Sequence, residues 1–561
     1  MSNLPRMSMR RALLLAASAC LSLGLAACGG GAAAVALVGG GVGTGGTGMV
    51  LGTVVGLGSV IVDGQSFSSA TPSYFRASGS SGETASNSQA VDVGARVDLQ
   101  VGSNQQPSSV LIQPDLEGAP QVDASNTLTV DGVRVLTNSA PTRGPVTFYS
   151  GLSGPAAVPS ASRIEVHGAY GEDASGPYIQ ASLIEQLPAS DTTTRITGVV
   201  SALSAQSLTV AGQSIPLGAN TTVVAGPGVS LAVGQLVHVW NNGPDWVVRV
   251  QALGSFTGSV QMSGLVYGLS ATGFTLSGIP VDTSSMGGAV PALQAGDYVV
   301  VSGHGDGQGT LVAQSIQAAP TTLTLRGTIT GYVSASSFQV RGVPIDASQA
   351  TFTGGASASQ LGNGAYVILQ GHVSASNPNV IRAMSVQVLA SPPPGETVDL
   401  QGTVSRVSDG SHFTLQWQPE QEDTVTSTQY PTVTIASNCV FINGSVADIV
   451  EGAPLEVEGT YQSGSLSAYT IKILPPASSG GTTEDVSGRV YNWSQQTSLT
   501  TSASTASSPS TFSLGGNTLT IPVGTSIPPG FGDGASVEVT FDKSTGNVVS
   551  TGNGASIAID N

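Results

Sequence analysis

Charged side chains are scarce in this 561-residue chain: they make up 9% of it, against about 25% in an average globular protein. Lysine occurs only at 472 and 543. The acids nonetheless outnumber the bases, 34 to 17. Such a chain repels nucleic acid and anionic headgroups, so neither is expected as a partner. Aromatic residues supply 5%, so cores must be built from Val, Leu and Ile. Of the 3 cysteines, Cys20 and Cys28 sit in the N-terminal segment. Cys439 is left alone for the rest of the chain, where it is expected as a small apolar strand residue. Familiar catalytic signatures are also missing. The chain holds no Gly-x-Ser-x-Gly elbow, no His-Glu-x-x-His and no phosphate-binding loop. The 5 histidines, at 167, 238, 304, 372 and 412, are spread so that no repeat unit offers a pair at metal-ligand spacing. Neither a metal, a cofactor nor an enzymatic activity is expected.

What is present begins with an address. Arg6, Arg10 and Arg11 precede an apolar run from Ala12 to Leu25. The run is shorter than the roughly 20 apolar residues that cross a bilayer. It ends in Leu25-Ala26-Ala27-Cys28. This order resembles a bacterial lipoprotein signal peptide, residues 1–27, with cleavage before a cysteine that carries lipid. The resemblance implies a thioether-linked diacylglyceryl group on Cys28 and a further acyl chain on the mature amine, enough for stable anchoring. Gly29, where related lipoproteins retained in the inner membrane commonly have Asp, implies export to the outer membrane. Residues 28–49 then form a Gly/Ala-rich, flexible tether. Its Gly43-Thr44-Gly45-Gly46-Thr47-Gly48 matches a dinucleotide-binding glycine pattern, but no strand precedes it and no helix follows.

Beyond the tether a unit recurs. It opens on a Gly-x-Val-like start at Gly198, Gly264, Gly327, Gly402 and Gly488, with weaker starts at Gly52 and Gly118. The spacing of roughly 60–90 residues suits small domains better than solenoid turns. Each unit continues with an alternating hairpin, such as Leu128–Val135, Phe274–Val281 and Phe338–Ile345. Asp63-Gly64 and Asp131-Gly132 are hairpin-turn signals. A Leu-x-x-Gly signature follows, at Leu231–Gly234, Leu293–Gly296 and Leu361–Gly364, leading into another alternating strand. Its glycine is expected at positive φ. A later glycine, Gly303, Gly371 or Gly459, is expected to close that strand with a turn before a last strand.

Five strands per unit predict an all-β chain of tandem five-stranded, OB-like barrels, with small β-sandwiches as the alternative. The expected modules span 50–115, 116–190, 194–256, 261–319, 322–391, 397–475 and 484–561. Proline-rich linkers at 392–394 and 475–476 separate copies, stiffening the spacing where Gly and Ser would loosen it; a rigid rod and beads on a string both fit, and residues 322–391 are expected to fold alone. The pattern resembles a small repeat domain of unknown function found in proteobacterial lipoproteins. That family brings no known catalytic residue.

The remaining candidates are few. Trp240 and Trp246 flank a hairpin and could stack on a sugar ring, as could Trp417 or Trp493; core packing is favoured for the first pair. Glu420, Glu422 and Asp423 cluster in an insertion, expected as a solvated loop. His304 and His372 hold equivalent places after the closing glycine and are expected in exposed turns. The sum is a non-enzymatic envelope lipoprotein, presenting modules as a spacer or binding surface. Its partners are a membrane, through Cys28, and an unidentified envelope polysaccharide or protein. A carbohydrate-binding lipoprotein is the alternative.

Overall fold

The computed structural model describes residues 48–560 except 68–72, 103–105, 123–126, 153, 162, 189–190, 393, 396, 417–430, 475–482, 491–492, 495–503, 507–508, 515–516, 529–530, 533–534, 543–544 and 550–556. Among these residues the chain is strand and turn, with helical structure limited to short 3₁₀ segments. No described helix is long and apolar enough to cross a membrane.

The fourth unit shows the plan. Its five strands are Ser259–Tyr267, Gly273–Leu276, Ile279–Asp282, Tyr298–Gly305 and Leu311–Ala318. The first pairs antiparallel with the second and, over residues 259–265, with the fourth. The second and third form a hairpin. The third runs parallel to the fifth, which returns antiparallel to the fourth. The ring therefore closes in the order 1-2-3-5-4, a Greek-key barrel of OB type rather than a sandwich. The fifth unit closes the same way between Leu323–Ser334 and Ile381–Leu389. So does the sixth, between Thr397–Asp409 and Ser465–Ile473. In the second unit the first strand is split into Leu116–Gly118 and Pro120–Val122, and the ring still closes. The first and third units use a separate segment, Ser73–Arg76 or Thr221–Val224, as the parallel partner of the fifth strand.

The hairpin between strands two and three turns on a repeated pair. Asp63, Asp131, Ala211, Ser277 and Arg341 have φ of 51°, 47°, 51°, 39° and 54°, each followed by a glycine at positive φ. Two successive left-handed residues make the turn whose twist matches a hairpin. The Leu-x-x-Gly glycines also take positive φ: 89° at Gly234, 91° at Gly296 and 79° at Gly364.

The expected closing glycines are placed differently. Gly303, Gly371 and Gly459 lie inside the fourth strand, not at its end. In each case the pairing with strand five shifts register at the glycine. A Cβ there would lie 2.0 Å, 2.4 Å and 2.3 Å from the facing carbonyl oxygens of Val312, Arg382 and Ser467. These glycines mark β-bulges that bend the strand around the barrel. His304 and His372 accordingly sit within strands; His304 is exposed and His372 half-buried.

The modules are not separate beads. The first strand of barrel one, Gly48–Leu57, pairs in parallel with barrel four over Met49–Leu51 and with barrel five at Gly56–Leu57. Gly56 permits that approach, because a Cβ would fall 2.3 Å from the Thr324 carbonyl oxygen. One apolar cluster joins Val54 and Val97 of barrel one to Leu325 and Val367 of barrel five. Another joins Ile179 of barrel two to Val237 and Val250 of barrel three. These contacts pack the barrels against one another, so polar strand faces that alternate with the core are covered by other barrels.

Candidate functional site: a buried polar seam between barrels

Strand alternation places the seam. In barrel one, Val97 and Leu99 fill the core, so Arg96 and Asp98 point outward. In barrel two, Ile164 and Val166 point inward, which turns Glu165 and His167 out. In barrel three, Ile196, Val237, Val239, Val248 and Val250 are core, leaving Arg195, His238, Trp240, Arg249 and Gln251 outside. These outward residues are all buried, because barrels one to four meet across them.

Four guanidinium groups organise the seam. Arg96 donates to Thr53 Oγ1 at 3.2 Å, and to Ser263 Oγ at 3.1 Å and Tyr298 OH at 3.3 Å of barrel four. Arg195 donates to Glu117 Oε1 at 2.9 Å and to the Ala77 carbonyl. Arg249 reaches Glu83 Oε1 at 2.8 Å and the Gly82 carbonyl at 2.9 Å. Arg76 pairs with Glu165. Each joins elements from different barrels, and Arg195 joins three. Charges removed from water persist only when paired and hydrogen-bonded.

The carboxyls respond to this burial. Desolvation pushes Asp98 up to about 7 and Asp115 to about 6, against the opposing pull of Arg96. Asp63 rises to about 6 by burial, again with Arg96 opposing. His238 falls to about 3 through burial and the neighbouring Arg195 and Arg249, so it is neutral. Its Nε2 lies 2.7 Å from Gln251 Oε1 and its Nδ1 2.8 Å from Thr197 Oγ1. A cavity of about 20 Å³, lined by Arg96, Asp98, Gln113, Asp115, His238 and Gln251, has room for one water molecule.

Glu165, His167 and Glu185 offer ligand atoms within 4.8 Å of one another. Their protons and partners argue for ion pairing rather than for a metal. The Arg96 backbone N–H donates to His167 Nδ1 at 3.2 Å, so in the neutral ring Nε2 carries the hydrogen and donates to Glu165 Oε1 at 2.7 Å. Neither nitrogen then has a lone pair free for a cation, and Arg76 already neutralises Glu165. The spacing of histidines along the sequence could not reveal this group, since Glu185 comes from the next strand. The alternating Glu-x-His beside inward Ile164 and Val166 was the available signal.

Cys28 and Trp417 lie outside the described residues, as do Glu420, Glu422 and Asp423. Trp240 is fully buried in the seam, its ring 4.5 Å from the Arg195 guanidinium carbon and its Nε1 donating to the Gly79 carbonyl at 3.1 Å. Trp246 is half-buried against the core shared by barrels two and three. Trp493 is buried edge-on to Phe512 and Phe531. Cys439 is half-buried, and burial pushes its thiol up to about 12.

A second, smaller seam joins barrels five and six. Arg341, the turn residue at positive φ in barrel five, pairs with Glu458 at 2.5 Å and Asp399 at 3.3 Å in barrel six. Ser88 of barrel one donates to the other oxygen of Glu458.

Residues 197–243, 263–317, 326–387 and 401–472 each match the model of one family, described as a domain of unknown function (DUF5666). The chain carries tandem copies of that domain. The four matches fall on barrels three to six, so the domain is the OB-type barrel described above. No curated protein matches the chain.

Proposed function

We propose that this protein is a non-enzymatic cell-envelope lipoprotein, held at the outer membrane by lipid on Cys28, whose packed DUF5666-type barrels serve as a spacer or binding surface. The observation that carries the reading is the ordered arginine, apolar and Leu25-Ala26-Ala27-Cys28 sequence ahead of a β-barrel body. The chemistry inside that body supports it. The buried carboxylates, guanidiniums and imidazoles that could act on a substrate are turned against one another between barrels. The excess of acids argues against nucleic acid as a partner. An envelope polymer or protein would meet the outer, Ser/Thr/Asn-rich surface; Trp240 offers no face for a sugar, being fully buried.

Metabolic labelling with palmitate and detergent partitioning test the anchor. Wild type takes up label and enters the detergent phase. Cys28→Ala loses both and accumulates as precursor or soluble protein. Equal partitioning of the two would overturn the reading.

A further inference from the structure

We propose that the seam between barrels one to four is a proton-operated lock, tight under mildly acidic conditions and loosened as pH rises to neutrality.

The first support is a count of charge. Arg76, Arg96, Arg195 and Arg249 are faced by Glu83, Asp98, Asp115, Glu117 and Glu165, with Asp63 at the edge of the same network, while Glu185 faces the His167 imidazole at 3.8 Å. The carboxyl groups outnumber the guanidiniums, and water cannot make up the difference where both are buried. The surplus acids must hold protons for the seam to close.

The second support is where hydrogen bonds are missing. Asp98 Oδ2 and both side-chain polar atoms of Gln113 are buried without a hydrogen-bond partner, and both residues line the cavity of about 20 Å³. Two unmet acceptors, Asp98 Oδ2 and Gln113 Oε1, share that space with one unmet donor, Gln113 Nε2. A proton on Asp98 turns one of them into a donor.

The surroundings fix the direction. Asp98 is faced by Arg96 on its own strand, by Arg249 from barrel three, by Glu83 from the loop after Arg76 and by Asp115. Asp115 meets Arg96 of barrel one, His167 of barrel two, and Arg195 and His238 of barrel three. Asp63 meets Arg96, and Tyr298 of barrel four. Asp98 titrates at about 7 in the closed seam, and an exposed Asp titrates near 4. Between those values the closed state holds a proton that the open state has released. Closure therefore weakens as pH rises through that window and is weakest above it. Asp63 and Asp115 add the same sign up to about 6. His238, at about 3 when buried, opposes them below about 6.5, where an exposed imidazole takes a proton. Between pH 7 and 6 Asp98 is the main carboxyl at work, and below about 6 three carboxyls outweigh one imidazole.

The test uses the full chain. Hydrogen exchange at residues 96–101 and 236–242, corrected for the intrinsic pH dependence of exchange, reports opening of the seam at pH 5.5, 7.0 and 8.5. Opening is expected to rise by about tenfold or more across the range, the ratio for one pKa unit of difference. Asp98→Asn, a permanent mimic of the protonated acid, flattens the slope and keeps protection at pH 8.5. If that variant does not fold, the infrared carbonyl band of a protonated carboxylic acid, followed in wild type, still decides: it is present at pH 6 and titrates away by pH 8. Protection independent of pH, or no such band at pH 6, overturns the lock.

Discussion

The guanidinium carbon of Arg195 lies 4.5 Å from the centroid of the Trp240 ring, and that of Arg249 lies 6.0 Å from it. One indole thus faces two buried cations from the same barrel. In a desolvated site a ring face under a cation contributes about 2 kcal/mol or more. The ring also packs Val224 and Val247 of barrel three against Ala77 and Leu111 of barrel one. Trp240→Ala removes the packing and leaves the cations less screened, so a loss of about 3–5 kcal/mol is expected, as for other buried aromatic truncations. Trp240→Phe keeps a ring but loses the donor to the Gly79 carbonyl, at about 1 kcal/mol for the hydrogen bond. Chemical denaturation of both variants checks the order, and equal midpoints for wild type and Trp240→Ala would contradict it.

Much of the barrel was legible in the residues. The Asp63-Gly64 and Asp131-Gly132 pairs announced their turns, and both residues of each pair have positive φ. Gly296 and Gly364 were legible because a small residue recurs before an alternating strand, three residues after a leucine. The seam was not legible, and the reason is physical. Alternation in Arg96-Val97-Asp98-Leu99 says which side chains leave the core, but not whether water or another barrel receives them. The bulge at Gly303 was hidden for a related reason. A glycine near a strand end fits a turn as well as a bulge, and only the partner strand distinguishes them.

Arg341 carries the second seam. Its guanidinium serves both Glu458 and Asp399, and Asp399 is already raised well above the usual carboxylate range by burial and the neighbouring Glu456. Removing the cation leaves uncompensated buried acids, which costs about 3–5 kcal/mol. Arg341→Ala is therefore expected to separate barrel six from barrel five. Limited proteolysis between residues 389 and 397 reads this directly, and an unchanged cleavage rate would count against a structural role for the pair.

The bulge glycines give a prediction that does not depend on φ. Gly303 takes no left-handed conformation, yet an added Cβ would stand 2.0 Å from the Val312 carbonyl oxygen. Strand four must then move off strand five. Gly303→Ala is expected to cost about 1–3 kcal/mol, the usual range for overpacking. Gly212→Ala serves as the control for crowding, since nothing lies within 4 Å of its Cβ position and only its positive φ of 78° is strained. That strain is worth about 1–2 kcal/mol. Thermal melts of the two variants separate crowding from backbone strain: only Gly303→Ala should alter backbone chemical shifts on the facing strand, Leu311–Ala318.

Gly364 tests whether the barrels unfold singly. Its φ of 79° follows Leu361 in the fifth barrel, directly ahead of the strand that pairs with Leu323–Thr328. A β-branched residue there resists the left-handed region by at least about 1–2 kcal/mol. Gly364→Val must therefore weaken barrel five. In a chain of independent beads the damage would stop there. Here Leu325 and Val367 belong to the same apolar cluster as Val54 and Val97 of barrel one, and Gly56–Leu57 pair with Thr324–Leu325. Opening barrel five exposes that shared cluster, so barrel one loses protection with it. Barrel two shares most of its core with barrel three and gives only Phe148 and Leu183 to this cluster, so its protection should fall less. Residue-resolved hydrogen exchange on wild type and Gly364→Val separates the outcomes. Loss confined to residues 323–389 would show that the shared core does not couple the two barrels, while parallel loss over 48–67 and 323–389 is the expected pattern.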